Sequence, residues 1–236
     1  MAHCVPAGNF PRSAVRTTLL LVALLLGGLQ TGCIHYPEPR HTYEFVTRYD
    51  RMSPRLEPKL SLVYVPPEVS FSPYRNFIVG NIAVGDNWVE SPVQAQRYAL
   101  YLRHKILAPE MRDTDRFDTV SLDPGRRFSV PTMRLEGKVT AFETGSGLAR
   151  FFSYFLPFLQ SGGASDFQLE GRIYDTATGE LLMEFVDRRR HLGNTPWLPN
   201  PNTFSNEFVM KHTVWETGRS LAEVLSEMTF DDEESP

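Results

Sequence analysis

The sequence predicts an α+β domain in which one mostly antiparallel sheet of about five or six strands carries two main helices on one face. Two observations favour this fold. Several short segments alternate apolar and polar residues as half-buried strands do, and two longer segments repeat apolar residues at helical spacing. Because the helices are separated by a run of strands, in the order β-β-α-β-β-β-β-α, we expect them to cover a single face of the sheet.

The first half of the domain is predicted to begin with two strands and a helix. Residues 60–65 and 76–84 are β-branched and aliphatic runs of strand length. A helix is expected over residues 92–107, because a serine that can cap it and a proline that suits the first helical position begin this segment. The helix should end before Pro109, since proline disrupts a helix interior.

A near-duplication is the clearest internal signal. LEGKVTAFETG at residues 135–145 matches LEGRIYDTATG at residues 169–179, with an offset of 34 residues. Helical repeats can have the same period, but the alternation of apolar and charged residues and the glycines contradict helices. We therefore predict two sheet strands, neighbours in the sheet by expectation, with Gly137 and Gly171 on the buried face where a helix comes close.

The end of the domain is predicted to contain a hairpin and a long helix. The sequence DTATG at residues 175–179 is typical of a tight turn, and it leads into a strand over residues 180–190. A helix is expected over residues 205–228, where Gly218 interrupts it at a cost of about 1 kcal/mol. The acidic residues 231–236 are expected to be a disordered tail.

The amino-terminal residues predict export from the cytoplasm. Arg12 and Arg16 precede an apolar core at residues 19–29, and a small residue and a cysteine follow as Gly32 and Cys33. This order is typical of a secretory signal. A helix that crosses a membrane needs about 20 apolar residues, and this core is about half as long. A plain secretory signal with an incidental cysteine is the alternative.

The residues around the expected cleavage site, LQTGC, resemble a bacterial lipobox, although Gln30 replaces the usual aliphatic residue. The resemblance implies cleavage after Gly32, so that Cys33 becomes the first mature residue and carries a diacylglycerol and a third acyl chain. Two or three such chains anchor a protein essentially permanently. Ile34 is not the aspartate that favours the inner membrane in such proteins, which implies the periplasmic face of the outer membrane.

The chain is predicted to contain one globular domain. Residues 1–32 are the expected signal peptide, and residues 33–59, which include four prolines, are expected to be an extended tether. A short edge strand at residues 43–46 is the alternative for part of this tether. Residues 60–230 then form a single periplasmic domain, because about 180 residues are enough for one sizeable core.

Charge and cysteine content exclude several classes of function. The charged residues of 1–32 are Arg12 and Arg16, so 22 of the 24 basic residues and all 28 acidic residues belong to the remainder, a formal charge of −6. A protein with this net negative charge is not expected to bind nucleic acid, because the phosphate backbone is also negative. Cys4 is lost with the signal and Cys33 is acylated, which leaves no disulfide and no cysteine-based metal site.

No catalytic residue, cofactor or metal is predicted. The sequence contains no G-x-S-x-G, H-E-x-x-H or P-loop motif, and the acidic residues 113–118 lack the pattern of a calcium-binding loop. An envelope enzyme whose residues converge only in the folded chain is the alternative, with His104, Asp175 and Glu180 as its candidates. A small-molecule carrier is a third hypothesis, and it requires an apolar cavity.

An apolar insert separates the two duplicated strands. The sequence LARFFSYFLPFL at residues 148–159 either fills the core or forms a docking surface for a partner or the bilayer. Trp197 is a weaker anchor candidate in a proline-rich loop. Arg188–Arg190 are expected to be a charged sheet edge, with lipid phosphates as the alternative contact. The docking hypothesis rests on four phenylalanines: Phe151, Phe152, Phe155 and Phe158.

The stretch LEGKVTAFETGSGLARFF, a glycine-containing link and FQLEGRIYDTATGELLMEF together resemble an uncharacterised family of bacterial lipoproteins. The resemblance covers about residues 60–228 and is specific over 135–186. Its α/β layout is similar to the small periplasmic domains of TolB and CsgG, which serve in assemblies at the outer membrane. It implies a non-catalytic binding or assembly module, held on the membrane by lipid and contacting a protein partner of unknown identity.

Overall fold

A computed structural model of the protein describes residues 37–55, 60–149, 163–191 and 205–230. These residues form one mixed sheet of seven strands in the order β1-β2-β7-β6-β5-β3-β4. The strands are β1 (Ser53–Arg55), β2 (Leu60–Tyr64), β3 (Asn76–Val89), β4 (Thr119–Ser121), β5 (Thr132–Glu143), β6 (Ser165–Asp175) and β7 (Leu181–His191).

The sheet is larger and less antiparallel than the sequence predicts. Four of its strand pairs are antiparallel, but β3 runs parallel to both of its neighbours, β4 and β5. The helical segment between β3 and β4 explains the parallel pair, because a helical crossover returns the chain to the end of the sheet where it started. The α+β class is confirmed, and the sheet is mixed.

The α-helices and the π-helical segment of the described residues lie on one face of the sheet, whereas a short 3-10 helix (Tyr49–Arg51) lies on the other. They are α1 (Pro92–Tyr101), a π-helical segment (Leu102–Leu107), α2 (Ala108–Asp113) and α3 (Asn206–Phe230). Residues from all four pack with the apolar side chains of β3, β5, β6 and β7 in one cluster. None of these helices is both long enough and apolar enough to span a bilayer.

The first helical region passes the proline at which it was expected to end. The π-helical segment changes the hydrogen-bond register, so that the N–H of Ala108 donates to the carbonyl oxygen of Arg103, five residues earlier. Pro109 therefore lies in the first turn of α2, where its missing N–H leaves no bond unmade. The expected end before Pro109 was wrong because the wider turn accommodates the ring.

The near-duplicated segments are adjacent antiparallel strands, with Gly137 directly opposite Gly171. Both glycines lie over the buried face, but strand side chains rather than a helix occupy the space beside them. A Cβ atom on Gly171 would lie 2.2 Å from the ring of Phe185, and one on Gly137 would lie 3.3 Å from Leu169 Cδ1. The predicted face is correct, and the predicted neighbour is not.

The close helix contact occurs instead at Gly218 in α3. A Cβ atom there would lie 2.4 Å from Cγ2 of Ile106 in the π-helical segment. The glycine that lowers helix propensity therefore allows the two helical segments to pack closely.

Residues 37–52 lie across the face of the sheet opposite the helices, and we call them the strap. Val46 and Tyr49 of the strap pack with Val186 of β7 in a second, smaller apolar cluster. Residues 43–46 form no strand. The sequence predicts an extended tether over this stretch, but the described part of it is bound to the domain.

Candidate functional site

The strap covers a polar face of β6. Alternate residues of β6 point away from the helices, and four of them in succession are Asp166, Gln168, Glu170 and Arg172. The first three are buried even though they carry polar or charged groups. Buried polar groups are costly unless they are hydrogen-bonded, so the strap must supply partners for them.

Glu170 is the centre of this contact, with 0 % exposure. Its carboxylate accepts hydrogen bonds from the Tyr49 hydroxyl at 2.7 Å, the Val46 N–H at 2.9 Å and the Thr42 hydroxyl, all in the strap. Gln168 Nε2 donates a further bond at 3.3 Å. Burial raises the pKa of Tyr49 and the bond to Glu170 raises it further, so Tyr49 remains a donor.

A second polar cluster holds the beginning of the strap. Arg188 Nε and Nη2 bind the two carboxylate oxygens of Asp166 at 3.0 and 2.5 Å, while Nη1 donates to the Glu38 carbonyl oxygen at 2.6 Å. Arg40 Nη2 lies 2.9 Å from Glu143 and 3.2 Å from Asp166. These bonds fix residues 38–40 against the ends of β5, β6 and β7.

The predicted charged edge at Arg188–Arg190 was therefore wrong. β7 lies between β2 and β6, and Arg189 is buried while Arg188 and Arg190 are half-buried, so the three arginines do not form a solvated strand edge. The Arg189 side chain is 1 % exposed and pairs with Asp187 at 2.7 Å and Glu216 at 3.1 Å. The ion pairs of Arg188 and Arg189 are internal to the domain.

Trp88 is an exposed aromatic residue that the sequence analysis did not identify. It is 52 % exposed, near the end of β3, and the Arg40 guanidinium lies over its ring at 4.6 Å from the centroid. It was missed because the strand was expected to end at residue 84, whereas β3 continues to Val89. The sequence feature that could have identified it is a tryptophan among polar residues, in GDNWVES, which is typical of an exposed aromatic side chain.

Trp88 borders a cleft of about 650 Å³ at this end of the sheet. The same end contains the last residues of β3, β5 and β7 and the first residue of β6, and we call it the Trp88 end. The Asn206 side chain at the start of α3 also reaches it, since Nδ2 donates to the Gly145 carbonyl oxygen at 3.1 Å. The cleft is lined by Asn87, Trp88, Val89, Glu90, Glu143, Gly145, Ser146, Ala164 and Arg190.

The predicted lipidation and docking residues lie outside the described residues. The described residues next to them in the chain are Pro37, Ala149, Gly163 and His191. The backbone closes tightly at the base of the insert, where a Cβ atom on Gly145 would lie 2.6 Å from the Gly163 carbonyl oxygen. The positions concerned are Gly32, Cys33, Phe151, Phe152, Phe155, Phe158 and Trp197.

The candidates for an enzyme do not form a constellation in the described part of the chain. His104 is exposed and contacts Arg103 Nη1 at 3.2 Å. Asp175 accepts bonds from the N–H groups of Ala177 and Thr178 and from the Tyr74 hydroxyl at 2.8 Å. Among the described residues, no hydrogen bond or ion pair joins His104 to Asp175.

The bonds to Asp175 also set its titration. Burial acts to raise the pKa of Asp175, but the hydrogen bonds from Thr178, Tyr74 and Ala177 together outweigh burial and lower it. A carboxylate that is stabilised in this way at a hairpin turn holds the turn together. Glu180, the third candidate, is exposed. Across the described ranges, no group of three or more histidine, cysteine or acidic side chains is arranged to hold a metal ion.

No protein-family model matches the chain, and no curated protein matches it. Among solved structures, the chain is similar to the PelC dodecamer from Paraburkholderia phytofirmans, with 12 % identity over 67 % of this chain and 96 % of that chain and a TM-score of 0.40. It is also similar to protein XCC0632 of family DUF330 from Xanthomonas campestris, with 10 % identity over 72 % and 94 % of the chains and a TM-score of 0.40. The hypothetical protein CT253 from Chlamydia trachomatis gives 7 % identity over 64 % and 98 % and a TM-score of 0.34.

Proposed function

We propose that this protein is a lipid-anchored lipoprotein on the periplasmic face of the outer membrane, and that it serves there as a non-catalytic binding or assembly module. Cys33 carries the lipid, and a protein of the envelope is the partner. The sequence resemblance to bacterial lipoproteins with domains like those of TolB and CsgG belongs to this proposal. The observation that carries it is the strap, which fixes the point where the chain reaches the domain.

The strap determines which end of the domain is near the anchor. Glu38 is held at the Trp88 end by Arg188, and Arg40 is held there by Glu143 and Asp166. Glu38 follows Cys33 by five positions, and an extended chain of this length spans at most about 18 Å. An acylated Cys33 lies in the bilayer surface, so the Trp88 end faces the membrane at short distance.

The Phe-rich insert and the loop with Trp197 support the same orientation. The insert leaves β5 and returns to β6 at the Trp88 end, and the loop follows the last residue of β7 there. Phe151, Phe152, Phe155 and Phe158 then belong to a segment that starts and ends on the membrane-facing side. An apolar segment at this side can contact the bilayer or a partner that is itself in the membrane.

Orientation can be measured because the acylated mature chain contains no other cysteine. A fluorophore on Ser146→Cys reports the Trp88 end, and one on Ala177→Cys reports the turn between β6 and β7. Both positions are exposed. The β6 strand of 11 residues separates them by about 35 Å.

We expect a quencher attached to lipid headgroups to reduce the emission of the label at residue 146 strongly and that of the label at residue 177 little. Equal quenching of the two labels would contradict the proposed orientation. The anchor itself is tested by intact mass: the mature chain should start at Cys33 with its acyl chains, and Cys33→Ser should leave the precursor uncleaved. An unmodified full-length chain in the cytosol would refute the proposed function.

A further inference from the structure

We propose that the strap is releasable: it opens as one unit while the sheet and the helices stay folded, and its opening lengthens the link between the lipid and the domain. The inference rests on the proposed function, because the length of this link matters only in an anchored chain. It adds a conformational step between a closed form, with the strap bound, and an open form that reaches a partner farther from the membrane.

The strap covers a sheet face that has the composition of a solvated surface. On the helix side of β6, Phe167 and Leu169 are buried in the main apolar core. On the strap side, the alternating residues are Asp166, Gln168 and Glu170. Permanent contacts are more apolar than contacts that form and open, because a face that is exposed for part of the time must be compatible with water. The polar face under the strap is of the second kind.

Hydrogen bonds and ion pairs hold the strap along its length. Arg40 pairs with Glu143 at 2.9 Å, and Glu44 of the strap pairs with Lys138 of β5 at 2.9 Å. The four donors to Glu170 are uncharged groups, three of them in the strap. When the strap opens, water replaces each of these partners, so the net free energy lost per bond is much smaller than the strength of the bond in isolation.

The bound strap also holds one residue in an unfavourable backbone conformation. Tyr43 has a φ of 52°, in the left-handed region that bulky side chains rarely adopt. Its side chain is mostly exposed, so burial of the ring offsets little of this strain. Strain of this kind persists only where the surrounding contacts maintain it, and opening of the strap relieves it. The apolar part of the contact is the smaller cluster around Val46, Tyr49 and Val186.

Opening of the strap changes how far the domain can lie from its anchor. In the closed form the chain is fixed from Glu38 onwards, at most about 18 Å from Cys33. In the open form the first fixed residue is Ser53, which pairs with Val63 and follows Cys33 by 20 positions. A chain of this length spans at most about 70 Å, and a flexible one has a root-mean-square length of about 25 Å. The domain therefore has a short and a long range.

The test is hydrogen exchange at single amides of the full acylated chain, followed by NMR at urea concentrations below the unfolding midpoint. The N–H of Arg40 donates to Gln168 and that of Val46 to Glu170, so both report the strap. The N–H of Leu169, in the middle of β6, reports the sheet. We expect the strap amides to exchange at least about tenfold faster than Leu169, within about threefold of each other and with a smaller urea dependence.

Leu221→Ala separates opening of the strap from unfolding of the domain. Leu221 is fully buried in α3, on the other face of the sheet. Its loss destabilises the closed and the open form equally, so exchange at Leu169 should become more than about tenfold faster while exchange at Arg40 and Val46 stays unchanged. If all three amides accelerated by the same factor, or exchanged at the same rate in the parent chain, the strap would open only with the whole domain and the proposal would be overturned.

Tyr49→Phe tests whether the strap opens as one unit. The substitution removes a donor to Glu170 and leaves the N–H bonds of Arg40 and Val46 in place. It should accelerate exchange at both amides by the same factor, about tenfold or more, whereas the control Tyr43→Phe should change neither. Acceleration at Val46 alone would mean that parts of the strap open separately, and exchange of both parent amides at the rate of an unfolded peptide would mean that no closed form exists. Either result would overturn the proposal.

The length of the link is measured in nanodiscs with the label on Ser146→Cys and the headgroup quencher. The triple variant Arg40→Gln, Thr42→Val and Tyr49→Phe removes three side-chain donors of the strap and should populate the open form, which exchange at Val46 establishes. We expect quenching of the label to fall by at least about twofold relative to the parent chain. Unchanged quenching with an open strap would overturn the change in reach, and a strap that stays closed without these donors would overturn the proposal as well.

The two proposals fail separately. An acylated, membrane-bound chain whose strap opens only with the whole domain overturns the release of the strap and leaves the proposed function standing. A chain that is neither cleaved nor acylated overturns the proposed function, while exchange at its strap amides still shows whether the strap opens by itself.

Discussion

Replacing Tyr49 with phenylalanine tests whether the strap is a structural part of the domain. The substitution removes one hydroxyl and retains the ring that packs in the smaller apolar cluster with Val46 and Val186. That hydroxyl is one of four donors to the buried Glu170 carboxylate, at 2.7 Å. Three donors remain after the change, so the carboxylate loses one bond rather than its whole environment.

The magnitude follows from the charge and burial of the acceptor. A hydrogen bond to a charged group contributes about 1.5–3 kcal/mol, and the fully buried acceptor cannot exchange it for water. For a domain of this size, each kcal/mol changes the melting temperature by about 2–4 °C. We therefore expect Tyr49→Phe to lower the melting temperature by roughly 3–12 °C.

The assay is thermal unfolding followed by circular dichroism, and Tyr43→Phe is its matched control. Tyr43 lies in the same strap, is 61 % exposed and contacts Tyr49 by its ring alone. Loss of its hydroxyl should change the free energy of unfolding by less than about 0.5 kcal/mol. If the two variants melted at the same temperature, or if trypsin cut the strap of the parent chain as fast as an unfolded peptide, the strap would not be bound as described.

Two further predictions concern the sheet and its hairpin. Gly171→Ala should lower the free energy of unfolding by about 1–3 kcal/mol, because its Cβ would lie 2.2 Å from the buried Phe185 ring. Gly125→Ala is the control and should change this free energy little, since its Cβ meets only Asp123 Oδ1, at 3.4 Å. Urea unfolding midpoints measure both variants, and equal midpoints would contradict the packing described around Gly171. Tyr74→Phe should raise the lowered pKa of Asp175, since it removes one donor to the carboxylate. A carboxyl group whose pKa is lowered by folding stabilises the fold above about pH 4, and this stabilisation is lost as the pH falls through the pKa of the folded state. The parent chain should therefore lose more stability than Tyr74→Phe between pH 5 and pH 2. Equal losses in urea titrations of the two proteins would refute the role of Tyr74.

The regular core of the fold could be predicted from the sequence because its pattern is local. The alternation in the duplicated segments identified β5 and β6, and their glycines lie directly opposite each other. The turn at residues 175–179 was predicted from its residue types, and Gly179 has the positive φ of 74° that such a turn requires. In each case, residues within a few positions of one another determine the structure.

The strap could not be predicted because its partners are remote in sequence. Gln168 binds the backbone of Arg40 by two bonds of 2.8 Å, across 128 positions. The alternation in β6 predicts a strand with one buried face, and it carries no signal for what covers the other face. A proline-rich segment with many charges is also typical of a linker. Only the folded chain shows that the polar strap covers the polar face of β6.

The parallel pairing of β3 was missed for a related reason. The sequence indicates where strands are, but the direction of a neighbour depends on the path of the connecting chain. Trp88 was missed with it, because the strand was expected to end at residue 84, whereas β3 continues to Val89 through a register shift between Val84 and Trp88. The cleft residues of β3 lie beside those of β5 because of this pairing.

The long sequence separation of the strap contacts has a consequence for the order of events during biosynthesis. Arg188 follows Glu38 by 150 positions, and Glu170 follows Val46 by 124. While the ribosome is still making the second half of the chain, residues 38–49 therefore have no surface on which to fold. This stretch stays an accessible peptide until β6 and β7 are available, and it acquires its final place only when those strands have formed.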